Sequence, residues 1–133
     1  MTSFSANLGF LWTDRSLADA IHAAAKAGFD AVECHWPYDQ DAGDVKAALA
    51  ATGLSMLGLN APRGDGTLGE NGLAALAGRE DAARDSIDAA LDYADAIDAS
   101  NIHVLSGFAS GEAAEACFIE NLRYAATNRP GIL

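Results

Sequence analysis

Positive charge is scarce in this chain of 133 residues: eight lysines and arginines stand against nineteen aspartates and glutamates, for a formal charge of −11. Lys26 and Lys46 are the only lysines in the sequence. Because a nucleic-acid binder needs a basic surface to displace counterions, this composition argues against a nucleic-acid partner. An anionic membrane surface would repel the chain for the same reason. A small anionic substrate stays open, since a pocket can be locally positive inside an acidic protein.

Long apolar runs and closely spaced cysteines are also lacking. No stretch approaches the roughly 20 apolar residues of a membrane helix. The opening Met-Thr-Ser-Phe lacks the basic start and apolar run of a signal peptide. Cys34 and Cys117 lie far apart in the sequence, without metal-ligand spacing. These features predict a cytoplasmic protein with two reduced thiols and no membrane partner.

The apolar pattern alternates between the strand period and the helix period along the chain. A short helix should begin at an N-cap, Ser16, and end at Gly28, and a second should end at Gly53. The predicted strands are Phe4–Leu8, Phe29–Cys34, Leu54–Leu59 and Ile102–Leu105, and helices follow each of them. This β-α alternation predicts an α/β fold with parallel strands and right-handed crossovers. Both a small doubly wound sheet and part of a (β/α)₈ barrel fit; length favours the former, because a full barrel needs about 250 residues.

Each predicted strand ends in a polar residue, namely Asn7, Glu33, Asn60 and Ser106. Because function gathers at the carboxyl ends of parallel strands, these residues are candidates for one shared binding site. The alternative is that strands simply become polar where they meet loops. Glu33 is the hardest to explain that way, since it lies among apolar neighbours where a carboxylate needs a partner.

The histidines give only a weak metal signal. Glu33 and His35 are two residues apart, so they would share a strand face if the strand extended that far. Two ligands do not make a metal site, and we predict none in this chain. His103, between two apolar strand residues, is expected to be a core or interface histidine.

A glycine-rich loop runs from Asn60 to Gly78 and holds five glycines. The stretch Gly64–Gly69 matches the dinucleotide fingerprint G-x-G-x-x-G literally. That fingerprint should begin at a strand end and open directly into a helix, whereas here the next helix is expected only near Arg79. A flexible loop over a pocket is therefore the preferred interpretation.

Several stretches, in order and spacing over nearly the whole chain, resemble one known family. They are 4–8 (Phe-Ser-Ala-Asn-Leu), 28–33 with 36–39 (Gly-Phe-Asp-Ala-Val-Glu and Trp-Pro-Tyr-Asp), 58–60, 63–65, 71–76, 78–80 and 120–125 (Glu-Asn-Leu-Arg-Tyr-Ala). They resemble hydroxypyruvate isomerase and the related 2-oxo-tetronate isomerases, which are xylose-isomerase-like TIM barrels. Residues 61–63 and 66–68 depart from the usual family wording, which leaves the substrate open.

The resemblance implies that residues 1–133 are a single partial domain, the first four βα units of a (β/α)₈ barrel, truncated near the start of strand five. It implies isomerisation of a small hydroxy-keto acid through an enediol. Two glutamates would act as acid and base, and a divalent metal would polarise the carbonyl. The first of those glutamates ends strand five in the family, so no catalytic residue carries over and the chain alone should be inactive. Asn7, Glu33 and Asn60 carry over as candidate substrate-binding residues.

A half barrel would expose two sheet edges, which invite association. We therefore expect the chain to form homo-oligomers or aggregates. The alternative function is a self-associating half-barrel module that binds a small molecule without catalysis. Activity restored by a separate C-terminal half is a further alternative.

Overall fold

A computed structural model describes residues 1–132, and they alternate between strands and helices as the sequence predicts. The elements in chain order are β1 (Ser5–Asn7), α1 (Leu17–Ala27), β2 (Ala31–Glu33), α2 (Ala42–Thr52), β3 (Ser55–Met56), β4 (Gly58–Asn60), α3 (Glu80–Ile97), β5 (Asn101–His103) and α4 (Glu112–Asn128). None of the helices within residues 1–132 is long and apolar enough to cross a membrane. The chain divides into two compact units, one of residues 1–59 and 93–100, the other of residues 60–92 and 101 onward.

The first unit contains a parallel sheet in the order β1-β2-β3. Ala6 pairs with Val32, and Val32 pairs with Met56, so these three side chains share one face of the sheet and are buried. The buried faces of α1 and α2 complete this core, with Ile21 and Val45 almost fully enclosed. The predicted parallel strands with intervening helices are confirmed in this unit.

The helix boundaries of the first unit follow from local hydrogen bonding. The Ser16 hydroxyl accepts a hydrogen bond from the backbone N–H of Asp19 at 3.1 Å, and Asp41 caps α2 through the N–H of Asp44 at 3.0 Å. Gly28 ends α1 with φ of 90°, and Gly53 ends α2 with φ of 73°. These left-handed conformations favour glycine, and the predicted cap and stops are confirmed.

The predicted third strand, Leu54–Leu59, is divided in the structure into β3 and β4 at Leu57. Hydrogen bonding to the β2 segment continues past the break: Leu57 N–H donates to the Val32 carbonyl at 2.7 Å, and Cys34 N–H donates to the Gly58 carbonyl at 3.0 Å. The apolar run thus follows one extended path, but it is not one continuous strand.

In the second unit, β5 lies beside the residue that follows β4, because Ala61 N–H donates to the His103 carbonyl at 2.9 Å. Ile102 N–H donates to the Ile132 carbonyl at 2.8 Å, and both of these side chains are buried. A hydrogen bond links α4 to α3: the Tyr124 hydroxyl donates to the Asp88 carboxylate at 2.8 Å. The apolar stripe of α3 and the inner face of α4 form the core of this unit.

The glycine-rich loop has more local structure than the predicted flexible segment. Gly66–Leu68 form a 3₁₀ turn that is capped by the Asp65 carboxylate, which accepts from Thr67 N–H at 2.9 Å. Glu70 accepts from Arg79 at 2.6 Å and from Asp65 N–H at 2.7 Å, and the bond from Arg79 holds the pKa of Glu70 below its usual value. The turn does not open into a helix, since α3 begins only at Glu80, so the glycines are not arranged as a dinucleotide fingerprint.

Candidate binding site

Asn7 and Glu33 lie side by side at the carboxyl ends of β1 and β2, where the register pairs them directly. Leu8 N–H donates to the Glu33 carbonyl at 2.8 Å, which extends the pairing by one residue. The Asn7 side-chain oxygen accepts from Gly9 N–H at 2.9 Å and so holds the turn that leaves the strand. Both side chains are partly exposed. The structure therefore brings together two of the three predicted substrate-binding residues.

Asn60 belongs to the second unit, where its side-chain oxygen lies 3.2 Å from the Nδ1 atom of His103. His103 is exposed, so it is not a core histidine, and the alternative that it lies at an interface stays a prediction. Strand alternation explains the difference: Ile102 and Val104 face the core, and His103 between them faces the opposite side. Ser106 is also exposed, and its hydroxyl donates to the Gly107 carbonyl at 3.2 Å.

A pocket of about 300 Å³ opens in the first unit beside the turns that follow β1 and β2. Gln40 ties these two turns together, since its side-chain oxygen accepts the backbone N–H of Leu17 at 3.0 Å. That N–H opens α1 and has no partner within the helix, so the bond also stabilises the helix start. The polar lining residues are Thr13, Arg15, His35, Asp39 and Gln40, and the larger apolar ones are Leu8, Trp12, Leu17, Trp36 and Pro37.

His35 occupies the centre of an aromatic cluster in this pocket. Its ring stands edge-on to Phe10, with centroids 4.8 Å apart, and to Trp36 at 5.4 Å. Gly9 permits this arrangement, because a Cβ at that position would overlap the imidazole ring. β2 ends at Glu33, so His35 lies beyond the strand, and the condition under which Glu33 and His35 would share a strand face is not met.

Cys34, which lines the pocket, has an unreactive thiol. Burial, reinforced by the negative charge of Glu33, raises the pKa of Cys34 to about 12. Burial likewise raises the pKa of Tyr93 to about 12, with smaller contributions from Cys34, Asp41 and Asp39. A thiol that stays protonated at neutral pH is a poor nucleophile. Cys34 therefore contributes to packing.

A divalent metal, which the family resemblance implies, does not fit the residues present. Within residues 1–132 no three side chains of the His, Cys, Asp or Glu type converge as ligands would need to. The Asn60–His103 pair supplies one imidazole and one amide, and Asn7–Glu33 supplies one carboxylate.

Sequence reasoning located the strand ends but missed Arg15, Trp12 and Gln40. These residues lie in the turns after β1 and β2, several residues beyond the strand ends. Their position in the sequence could have indicated two of them. Trp12 and Arg15 lie in the short stretch between β1 and the N-cap of α1, on the carboxyl side of a parallel strand, where binding residues gather.

Comparison with known proteins identifies the protein family of this chain. A family model described as "Xylose isomerase-like TIM barrel" matches residues 21–132. The chain belongs to this family, which confirms the predicted fold: these βα units are part of a TIM barrel.

Within this family, the chain is similar to relatives whose names state an isomerase activity. The chain is 43% identical over 129 residues to a 2-oxo-tetronate isomerase from Haemophilus influenzae, a match that covers 94% of this chain and 50% of that protein. It is 40% identical over 131 residues to hydroxypyruvate isomerase from Escherichia coli, covering 95% of this chain and 50% of that one. The chain thus spans about half the length of these relatives, and the resemblance to the hydroxypyruvate and 2-oxo-tetronate isomerases is confirmed.

Solved structures show the same fold. The crystal structure of an AP endonuclease, family 2, from Brucella melitensis superposes with a TM-score of 0.88 at 41% identity, covering 96% of this chain and 51% of that one. A D-allulose 3-epimerase from Methylomonas sp. superposes with a TM-score of 0.71 at 18% identity, covering 92% and 46%. The second likeness supports the fold alone.

Proposed function

We propose that this chain supplies the N-terminal βα units of an isomerase that acts on a small hydroxy-keto acid. The observation that carries the proposal is the 43% identity to a 2-oxo-tetronate isomerase along 94% of the chain. The reaction class would be interconversion of a 2-keto acid bearing a hydroxymethyl group with its aldehyde isomer. A cytoplasmic location belongs to the same proposal, supported by two free, buried thiols.

The contribution of these residues would be binding rather than proton transfer. An enediol route needs an acid and a base at adjacent carbons, and the two glutamates expected for these roles lie outside residues 1–133. Asn7 uses its side-chain oxygen to hold Gly9, which leaves its amide N–H groups to donate to a substrate oxygen. Glu33 would accept from a hydroxyl beside it, and Asn60 with His103 would act similarly in the second unit. The chain by itself would show no turnover.

A fusion protein tests these assignments. Residues 1–133 are joined to the C-terminal half of the Haemophilus influenzae enzyme, and turnover of hydroxypyruvate and 2-oxo-tetronate is measured. We expect activity in the fusion, and loss of about tenfold or more in kcat/KM for Glu33→Gln and Asn60→Ala. Asp92→Asn, on the exposed side of α3, is the matched control and should leave activity unchanged. A folded fusion without turnover would refute the proposal, and full activity in both site variants would refute the binding roles.

Self-association without catalysis is the second candidate function, and exposed apolar side chains favour it. Phe4, Phe10 and Phe108 have relative exposures of 65%, 75% and 79%. Within residues 1–132 the strand β1 pairs only with β2, so its other edge carries no strand. Light scattering coupled to gel filtration tests this candidate: a dimer or larger species supports it, and a monomer that unfolds cooperatively in calorimetry contradicts it.

A further inference from the structure

An exposed stripe on α1 carries positive charge that pairs with no carboxylate of the same chain within residues 1–132. Arg15, His22 and Lys26 line one concave surface with Asp19 and Ala23, and the first three side chains are exposed. Over that range none of the three forms an ion pair or a side-chain hydrogen bond. We call these three residues the basic stripe; Arg15 lies just before the helix, and the other two lie on it.

Unpaired cations are unusual in the first unit. It contains three lysines and arginines against nine aspartates and glutamates, and the cation outside the basic stripe, Lys46, pairs with Asp98 at 3.0 Å. Carboxylates therefore outnumber cations in this unit, and yet within residues 1–132 the basic stripe pairs with none of them. Its charges are free to meet carboxylates from outside the chain.

The outer face of α3 carries the opposite charge. Asp81, Asp85 and Asp92 are exposed, and within residues 1–132 none of them forms an ion pair or a side-chain hydrogen bond. At about 100° per residue their positions fall within about 40° around the helix axis, so they form one line along α3. We call these residues the acidic stripe. The exposed residue between Asp85 and Asp92 is Ala89, which is small enough to let another helix approach closely.

The two stripes have the same spacing when one of them is read backwards. Along α1 towards the N-terminus, the residues of the basic stripe are separated by four and then seven positions, and so are those of the acidic stripe along α3 towards the C-terminus. An antiparallel pair of helices would therefore place Lys26 beside Asp81 and Arg15 beside Asp92. The histidine of the basic stripe would then lie beside the middle aspartate of the acidic stripe.

We propose that the basic stripe of one copy binds the acidic stripe of a second copy, so that the chain associates with itself through the outer faces of α1 and α3. Opposite charges in register draw these faces together, and the net charge of −11 disfavours orientations in which two acidic surfaces meet. Exposed ion pairs are individually weak, so the complex should be weak and reversible. The inference goes beyond the proposed isomerase function, because this association needs neither turnover nor the exposed apolar side chains and strand edge.

One position of this alignment is unfavourable and gives a separate test. Asp19 would face Asp88, whose carboxylate accepts from the Tyr124 hydroxyl at 2.8 Å. Because like charges that face each other oppose association, Asp19→Asn should strengthen self-association about twofold or more. Unchanged or weaker association of this variant would contradict the antiparallel alignment.

A charge exchange tests the proposal in solution, by sedimentation equilibrium of the whole chain over a series of concentrations. Lys26→Glu and Asp81→Lys should each weaken self-association about tenfold or more, because each places like charges opposite one another. An equal mixture of the two variants should associate within about threefold of the native chain, since the reversed charge of one variant then faces that of the other. A mixture no tighter than the separate variants, or a native chain that stays monomeric, would overturn the proposal.

The matched controls lie on α4. Arg123→Glu and Glu120→Lys make the same changes in net charge at exposed positions, and each should alter self-association less than about threefold. Circular dichroism confirms that every variant is folded. If the control pair loses and regains association on mixing as the stripe variants do, the assignment to α1 and α3 is wrong. If the stripe variants associate as tightly as the native chain, the proposal fails and association through the exposed apolar side chains stands.

Cross-linking of the native chain gives a result that does not depend on the folding of any variant. An equal mixture of isotope-labelled and unlabelled chains is treated with a carbodiimide, which joins a lysine amine directly to an adjacent carboxylate. We expect Lys26 to be joined to Asp81 or Asp85 in peptides that combine a labelled and an unlabelled chain. Lys46 should be joined to Asp98 within single chains, which is the internal control. Formation of the Lys46 product without a mixed product of Lys26 would overturn the proposal.

Discussion

Asn121 is a fully buried polar side chain in α4, and its role is structural. Its amide donates to the Ala74 carbonyl at 2.8 Å, which joins the helix to the end of the glycine-rich loop. Its side-chain oxygen is buried without a protein partner in residues 1–132. The amide nitrogen of Asn121 thus has a partner and its oxygen has none within that range. Loss of the amide nitrogen would leave the buried Ala74 carbonyl unpaired as well.

Replacing Asn121 by alanine should therefore destabilise the chain by about 1–3 kcal/mol, because the Ala74 carbonyl would lose its donor inside the core. Urea unfolding followed by circular dichroism measures the change. Thr127→Ala, at the exposed end of the same helix, is the control and should alter stability by less than about 0.5 kcal/mol. Equal stability of Asn121→Ala and the native chain would show that this hydrogen bond contributes nothing net.

Gly9 is required by sterics rather than by its backbone conformation. It is not among the glycines with positive φ, yet an added Cβ would overlap the ring of His35. Gly9→Ala is expected to destabilise the chain by about 1–3 kcal/mol through overpacking. In a His35→Ala background the same substitution should cost much less, which a double-mutant cycle measured by thermal unfolding would detect. A cycle without coupling would contradict the contact.

Cys34 should make the free energy of unfolding of the chain depend on pH in the alkaline range. Burial raises its pKa from 9.0 to about 12, so between these values the unfolded thiol ionises while the folded thiol stays protonated. Unfolding then releases a proton, and the free energy of unfolding falls as the pH rises. Cys34→Ala should show a shallower fall between about pH 9 and pH 10 when unfolding is followed in urea. Identical slopes for the variant and the native chain would rule out this origin; Tyr93, with its raised pKa, adds a fall of the same sign at higher pH.

At the scale of single elements, helix ends were the most predictable feature of the chain. Ser16, Gly28 and Gly53 each act through bonds within a few residues, so local sequence is enough to place them. The division of the third strand at Leu57 could not be predicted in this way, because strand assignment depends on partners far away in the sequence. A core position for His103 could not be excluded from the sequence for a related reason: apolar neighbours indicate a strand but do not say which face meets the core.

The cap of α1 offers a direct test of this local control. Ser16→Ala removes the acceptor for Asp19 N–H and should destabilise the chain by about 1 kcal/mol. Ser3→Ala, in the exposed N-terminal segment outside any helix, is the control and should have no measurable effect. Thermal unfolding measures both. If Ser16→Ala unfolds at the same temperature as the native chain, solvent replaces the cap without loss.

At the scale of the whole molecule, the candidate site was predictable only in part. Asn7 and Glu33 are neighbours because parallel strands in register bring their carboxyl ends together, which the alternating pattern predicts. The pocket with Arg15 and His35 depends on how two turns pack on each other, through Gln40 and Gly9. Such packing between turns has no periodic signature in the sequence, so it emerged only from the structure.

The match to the isomerases covers nearly all of this chain but only half the length of each relative. We therefore propose that these residues form one half of an isomerase. The most direct measurement titrates the separately produced C-terminal half of the Haemophilus influenzae 2-oxo-tetronate isomerase into the chain and follows turnover. We expect no turnover from either half alone, and activity that rises and saturates at equal amounts of the two. Turnover by the chain alone, or a stable equimolar complex without turnover, would contradict the claim.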